Sequence, residues 1–115
     1  MKLKELNNLS NTELDISVAK LMGIKVESDG ISHNLMACDL NTNTYNPNGK
    51  FLTFLPKYSS DLNAMNKAEL TMREDQLYSY MLNLIETSGL LATHVLLAKA
   101  RQRAEAFVLT KEGEV

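Results

Sequence analysis

The chain contains no tryptophan, a single cysteine and no apolar run of the length that a membrane-spanning helix needs. Because Cys38 has no second cysteine to pair with, an internal disulfide is excluded, as is typical of proteins of a reducing cytoplasm. The start of the chain is charged, and no apolar segment of the kind found in signal peptides follows it. We therefore expect a soluble cytoplasmic protein that makes no contact with membranes.

The sequence also lacks an excess of either charge. Twelve Lys and Arg residues stand against fourteen Asp and Glu residues, which gives a formal net charge of −2. Proteins that bind nucleic acid usually carry a basic excess or patch to neutralise phosphates, and a mimic of nucleic acid would carry a large acidic excess. The charge balance therefore predicts no direct binding of nucleic acid.

Motifs that carry chemistry are missing as well. The five glycines are isolated from one another, so there is no glycine-rich phosphate loop. The possible metal ligands His33, Cys38, Asp39 and His94 do not have the spacing of a known metal site, and Cys38 lies in an apolar run typical of a buried, unreactive thiol. We expect no catalytic residues, no metal and no cofactor, and hence a protein that is not an enzyme.

Capping signals and apolar periodicity predict four longer helices. Ser10 and Glu13 form a capping box ahead of a helix over 11–22, and Gly23 ends it. Ser59 or Ser60 is expected to cap the second helix. A second capping box, beginning at Thr71, is expected to start the third helix. The third helix is expected to bury Leu77, Met81, Leu84 and Ile85 and to leave Tyr78 and Tyr80 partly exposed. The later helices are predicted over 60–71, 73–87 and 98–110, the last with one apolar side.

Between the first two helices the sequence is typical of strands and loops. Extended segments are predicted over 24–26, 33–40 and 51–55, the last two joined by a polar loop. Loops of about ten residues are more often functional than short ones, which makes Asn43, Tyr45 and Asn46 candidate partner contacts. Tyr58 and Asp61, at the start of the next helix, are added to that set. Leu90–Leu97 fits either a strand or the approach to the last helix, with β-branched residues slightly favouring a strand.

These elements predict an α+β fold class. We expect a small antiparallel sheet of about three strands packed with about four helices, arranged like an α/β/α sandwich. A chain of 115 residues has the length of one domain, so 1–115 is treated as a single unit with flexible ends at 1–9 and 111–115.

Three segments resemble a known family. They are Thr12-Glu13-Leu14, the block Tyr58-Ser59-Ser60-Asp61-Leu62-Asn63-Ala64-Met65, and the block Ala100-Arg101-Gln102-Arg103-Ala104-Glu105-Ala106-Phe107. Together they are similar to the phage ABA-sandwich family of small bacteriophage and prophage proteins. The resemblance differs at Ser60 and Lys99, where the family tends to have threonine, and the family's C-terminal Leu-Gly-x-Trp is absent. The resemblance implies a phage origin and a sandwich of helices around a sheet, and it implies no site residues.

Three functions remain from the sequence. The first is a non-enzymatic binding protein of a phage or prophage that inhibits a host defence system, as anti-CRISPR proteins do, by covering a host protein or ribonucleoprotein complex in the bacterial cytoplasm. Exposed aromatic residues such as Tyr45 and Tyr58 would anchor such an interface. The alternative is a sponge for a small nucleotide signal, an oligomer with pockets between its subunits. It predicts several Arg or Lys residues converging on one cavity, for which Arg73, Arg101 and Arg103 are the candidates. A phage accessory protein in replication or recombination is the third possibility.

Overall fold

The computed structural model describes residues 2–28, 35–38, 52–89 and 92–113, and most of these residues are helical. In chain order the elements are α1 (Leu3–Asn7), α2 (Asn11–Leu21), β1 (Lys25–Ser28), β2 (Leu35–Cys38), β3 (Leu52–Phe54), α3 (Leu62–Glu69), α4 (Glu74–Ser88), a 3₁₀ helix (Ala92–Leu97) and α5 (Ala100–Glu112). None of the helices in these ranges is both long enough and apolar enough to cross a bilayer.

Helix α5 is the centre of the domain and packs against α1, α2, α3 and α4. Ala104, Ala106, Phe107 and Val108 are all fully buried, although successive side chains point about 100° apart around a helix. A helix with buried residues on every side needs neighbours on every side. The expectation that only one side of 98–110 is apolar and buried is therefore wrong, because the other helices enclose this helix.

Helix α2 begins and ends as its sequence predicts. The backbone N–H of Glu13 donates to Ser10 Oγ at 3.1 Å, and the backbone N–H of Ser10 donates to Glu13 Oε1 at 3.2 Å. Leu14 and Val18, one turn apart, are fully buried and face the core. The capping box and the helix over 11–22 are confirmed.

Helices α3 and α4 lie where the periodicity places them, but other residues cap them. Asp61 caps α3, its carboxylate accepting from the backbone N–H groups of Asn63 and Ala64 at 3.0 and 3.4 Å. The predicted cap at Ser59 or Ser60 is therefore wrong. At the start of α4 the backbone N–H of Arg73 donates to Gln76 Oε1 at 2.8 Å.

The predicted box at Thr71 is wrong for a related reason. The Thr71 hydroxyl donates to the Ala68 carbonyl at 2.6 Å, at the end of α3, and so belongs to the helix before it. Helix α4 then ends at Gly89, whose φ of +67° is a left-handed conformation that glycine adopts without strain.

The strands are short and form an antiparallel sheet in the order β1-β2-β3. Val26 pairs with Ala37, and Met36 pairs with Phe54. Strands β2 and β3 fall within the extended segments expected over 33–40 and 51–55. Strand β1 lies against α2, and Val26 packs at the margin of the core.

The predicted α+β class, with an α/β/α sandwich, is wrong, because the protein is mostly helical and its core is built by helices. Among the residues whose burial the structure describes, the fully buried side chains come from helices α1, α2, α3 and α5. A sandwich would need a sheet between two helical layers, and here α5 holds that central place.

Two further segments differ from expectation. Residues 92–97 form a 3₁₀ helix, so the slight preference for a strand there was wrong. Residues 1–9 were expected to be a flexible end of the chain, but residues 3–7 form a helix and Leu6 is fully buried. Burying the side chain of one leucine contributes about 1.5–3 kcal/mol, enough to hold a short helix against the domain.

Candidate functional site

The predicted partner contacts are divided between two regions. Asn43, Tyr45 and Asn46 lie outside the described residues. Tyr58 is only 3% exposed and belongs to the core cluster, so its ring does not present the exposed anchor that the sequence predicts. Asp61 is exposed, but its carboxylate serves as the cap of α3.

The possible metal ligands give no site in the part of the chain that the structure describes. There, no three His, Cys, Asp or Glu residues are grouped closely enough to hold an ion. His94 is exposed on the 3₁₀ helix, only the backbone of Cys38 is described, and His33 and Asp39 lie outside the described ranges.

Arg101 holds the N-terminal segment onto the central helix. Its guanidinium donates to the carbonyls of Leu6 and Leu9 at 2.9 and 2.8 Å and to Asn11 Oδ1 at 2.8 Å. Its Nε also donates to Glu105 Oε1 at 3.2 Å, one turn further along the helix. Only 7% of the Glu105 side chain is exposed, so this pair is far more buried than a helix-surface pair.

Arg103 forms a second polar cluster on another side of α5. Its guanidinium lies 3.1 Å from Glu69 Oε2 and donates through Nε to the Ala98 carbonyl at 3.0 Å. The Tyr80 hydroxyl donates to the same Glu69 oxygen at 2.6 Å. Burial, and then the neighbouring Glu69 carboxylate, raise the pKa of Tyr80 well above the ordinary value of 10.0. Tyr80 is 6% exposed, which corrects the expected part exposure.

The three arginines therefore do not converge. Arg73 is paired with Asp75 at 3.2 Å, Arg101 with Glu105, and Arg103 with Glu69. A sponge for a nucleotide would need several of these cations turned towards one cavity. Instead, two of them bind carbonyls and carboxylates within the fold.

The prominent exposed feature is an apolar surface on α4. We call it the α4 patch, and it includes Leu70 from the end of α3, which shares a groove with Leu77. Its members and their exposed fractions are Leu70 (85%), Leu77 (44%), Tyr78 (71%), Met81 (48%) and Leu82 (51%). Leu77 and Met81 are four residues apart, as are Tyr78 and Leu82, so each pair lies on adjacent turns of one helix face.

An open groove runs along the edge of the α4 patch. It has a volume of about 470 Å³ and is lined by Asn66, Glu69, Leu70, Met72 and Leu77. Its lining is mainly apolar, and among the described lining residues the one ionisable side chain is that of Glu69, already bonded to Arg103 and Tyr80. Such a groove suits the apolar side chain of a partner better than a charged metabolite.

The sequence identifies the right helix but the wrong face. The buried residues of α4 are Gln76, Tyr80 and Leu84, whereas Leu77 and Met81 were expected to be buried. The observed buried stripe lies one residue away from the predicted one because its polar side chains have hydrogen-bond partners in the interior. Gln76 Oε1 accepts from Lys111 Nζ at 3.2 Å, and the Tyr80 hydroxyl donates to Glu69. Four apolar residues on two adjacent turns, Leu77, Tyr78, Met81 and Leu82, are then left at the surface.

Comparison with known proteins gives no relative: no family model matches the chain, and neither the curated proteins nor the solved structures contain a match.

Proposed function

We propose that this chain is a non-enzymatic protein-binding protein and that the α4 patch is its binding surface. The observation that carries the proposal is the grouping of five large apolar side chains, each at least 44% exposed, at the end of α3 and along α4. Single exposed apolar residues are ordinary, but contiguous ones mark interaction surfaces.

The composition of the α4 patch also favours a protein partner. Tyrosine, methionine and leucine bury a large apolar area, and tyrosine adds a hydroxyl that can donate at the edge of an interface. Tyr78 is the most exposed member on α4 itself and is flanked by Leu77, Met81 and Leu82. Aromatic residues surrounded by such neighbours are the usual centres of binding energy in protein interfaces.

The more specific proposal is that the partner is a host protein and that binding inhibits it. It is supported by the three sequence segments that resemble small phage proteins and by the internal use of Arg101 and Arg103, which leaves little of a small-anion site. The mechanism is steric: the partner's own functional surface is covered once the α4 patch is bound. An inhibitor of host defence of the anti-CRISPR kind acts in this way.

Capture of the partner from bacterial lysate tests the binding surface. Met81→Lys places a charge in the middle of the α4 patch, and Thr12→Lys places the same charge on an exposed residue of α2, which packs against α5 and β1. We expect one stoichiometric protein to be retained by the wild type and by Thr12→Lys and to be lost from Met81→Lys. Equal retention by all three proteins would contradict the proposal.

Plaque assays test the inhibitory role. In a bacterium that restricts a phage by CRISPR interference, expression of the chain should raise the efficiency of plating, and Met81→Lys should abolish the gain. An unchanged efficiency in several defence backgrounds, together with successful capture, would retain the binding function and exclude the inhibitory role.

A further inference from the structure

We infer that the α4 patch receives an amphipathic helix of the partner whose apolar stripe is flanked by lysine or arginine. This inference rests on the proposed function and adds the chemistry of the partner. It comes from the charges that border the patch, which the apolar surface alone does not specify.

The ionisable residues of α4 are all acidic. Glu74 and Asp75 stand in its first turn, Glu86 stands in its last, and between them the helix carries no lysine or arginine. The Glu74, Asp75 and Glu86 side chains belong to exposed residues. The patch is therefore bordered at both ends by carboxylates.

The two cations described in contact with α4 do not cancel these carboxylates. Arg73 precedes α4 and is paired with Asp75, which lowers the pKa of that carboxyl through a direct hydrogen bond. Lys111 donates to Gln76 on the α5 side of the helix, opposite the patch. Three carboxylates against one adjacent guanidinium leave the α4 border of the patch negative, and Lys67 is the cation on its α3 side, one turn before Leu70.

The dimensions of the surface suit a helix. Helix α4 has 15 residues, which at 1.5 Å per residue is about 22 Å, or four turns. The exposed apolar residues of α4 occupy about two of these turns, from Leu77 to Leu82. Together with the groove at Leu70 and Leu77, they accept side chains about one turn apart on a partner helix, as at i, i+3 and i+4.

A second copy of this chain is a poorer occupant. Two α4 helices packed against each other, in either direction, would bring the acidic ends of one against the acidic ends of the other, because both ends carry carboxylates. Like charges across an interface oppose binding, whereas a basic border on the partner complements them and accelerates association. An anionic membrane surface is disfavoured for the same reason.

Two synthetic peptides test the inference. Both are 18-residue amphipathic helices with the same leucine stripe, one flanked by lysines and the other by glutamates, each carrying a fluorophore for anisotropy measurements. We expect the lysine peptide to bind the wild type at least roughly fivefold more tightly, from several weak border pairs. The preference should shrink between about 50 and 500 mM salt as the charges are screened.

Two variants locate the effect. Glu74→Gln/Asp75→Asn/Glu86→Gln removes the border charges with little change of shape and should bring the two peptides to within about twofold of each other. Met81→Lys should abolish binding of both peptides. Circular dichroism verifies that each variant is folded.

The outcomes separate this inference from the proposed function. Equal affinity for the two peptides, or a preference for the glutamate peptide, overturns the inference. If Met81→Lys still abolishes the binding of both peptides, the proposed function is retained. Binding of neither peptide also overturns it, and the function then depends on the Met81-sensitive capture alone. A concentration-dependent dimer that Met81→Lys dissociates, or binding to anionic vesicles, names another occupant and overturns the inference.

Discussion

Removing the guanidinium of Arg101 should destabilise the domain strongly, and the structure indicates how much. The change Arg101→Met keeps the aliphatic stem but leaves the Leu9 carbonyl without its Arg101 donor and Glu105 without its cation. The Leu6 carbonyl keeps the backbone N–H of Leu9 as a donor. One oxygen of Glu105, Oε2, already has no hydrogen-bond partner in the described part of the chain. The carboxylate would then be buried and uncompensated.

The magnitude follows from burial. Breaking a fully buried ion pair by removing one partner costs about 3–5 kcal/mol. Since 25% of the Arg101 side chain is exposed, solvent screening reduces the expected loss to roughly 2–4 kcal/mol. For a domain of this size each kcal/mol lowers Tm by about 3–5 °C, so the loss should be about 10 °C.

Arg73→Met is the matched control. Its pair with Asp75 also joins an arginine Nε to a carboxylate oxygen at 3.2 Å, but the two side chains are 66% and 71% exposed. Thermal unfolding followed by circular dichroism should show no measurable change for this variant. The reasoning is refuted if Arg101→Met and Arg73→Met lower Tm equally.

A double variant separates the charge from the hydrogen bonds. Arg101→Met/Glu105→Gln removes the uncompensated carboxylate as well, and so it should be more stable than Arg101→Met alone. If the second change instead adds to the loss, the buried charge of Glu105 is not the source of the destabilisation.

The remaining predictions concern the other buried polar groups. The folded state raises the pKa of Tyr80 above 10.0, so the protonated hydroxyl contributes fully to the free energy of unfolding below pH 10. This contribution is lost as pH rises above 10, by up to about 1.4 kcal/mol per pH unit. Tyr80→Phe should make the free energy of unfolding in urea less dependent on pH above pH 10, whereas Tyr78→Phe, at an exposed site, should leave that dependence unchanged. The same pH dependence in both variants would contradict this. Asp15 is buried and accepts from the Ser59 N–H at 2.7 Å, so Asp15→Ala should cost about 1–3 kcal/mol, measured by urea unfolding. A loss no larger than that of Thr12→Ala, at an exposed site, would show that this bond contributes little.

Local signals in the sequence were sufficient for the positions of the four longer helices, although not for α1 or the 3₁₀ helix. The Ser10 and Glu13 box needs only residues three apart, and α2 begins where that box predicts. Cap identity was harder, because several residues before α3 can accept a hydrogen bond. Ser59 is instead held by Asp15 and the Asn11 carbonyl, both more than 40 residues away, which leaves Asp61 as the cap.

The architecture required long-range pairing that the sequence does not display. Helix α5 contains Arg103 and Glu105, which are typical of an exposed face, yet both are buried. They are tolerated inside because Arg103 meets Glu69 and Glu105 meets Arg101, which in turn holds the N-terminal segment. A pattern of apolar spacing treats such charges as surface residues and therefore misses a central helix.

The candidate surface was missed for the same physical reason. Gln76 and Tyr80 are polar enough to be assigned to solvent, so the buried stripe of α4 was placed one residue away from its true position. Once Lys111 and Glu69 provide partners for them, the apolar face with Leu77 and Met81 turns outwards. The surface thus depends on contacts made between helices.

Methyl NMR of methionine-labelled protein with the captured partner tests the central claim most directly. Met81 is 48% exposed in the α4 patch, whereas Met65 is fully buried in α3 and serves as an internal control. We predict that the Met81 methyl resonance shifts or broadens on addition of the partner while that of Met65 stays in place. A bound complex in which the Met81 resonance is unchanged would contradict the assignment of the α4 patch as the binding surface.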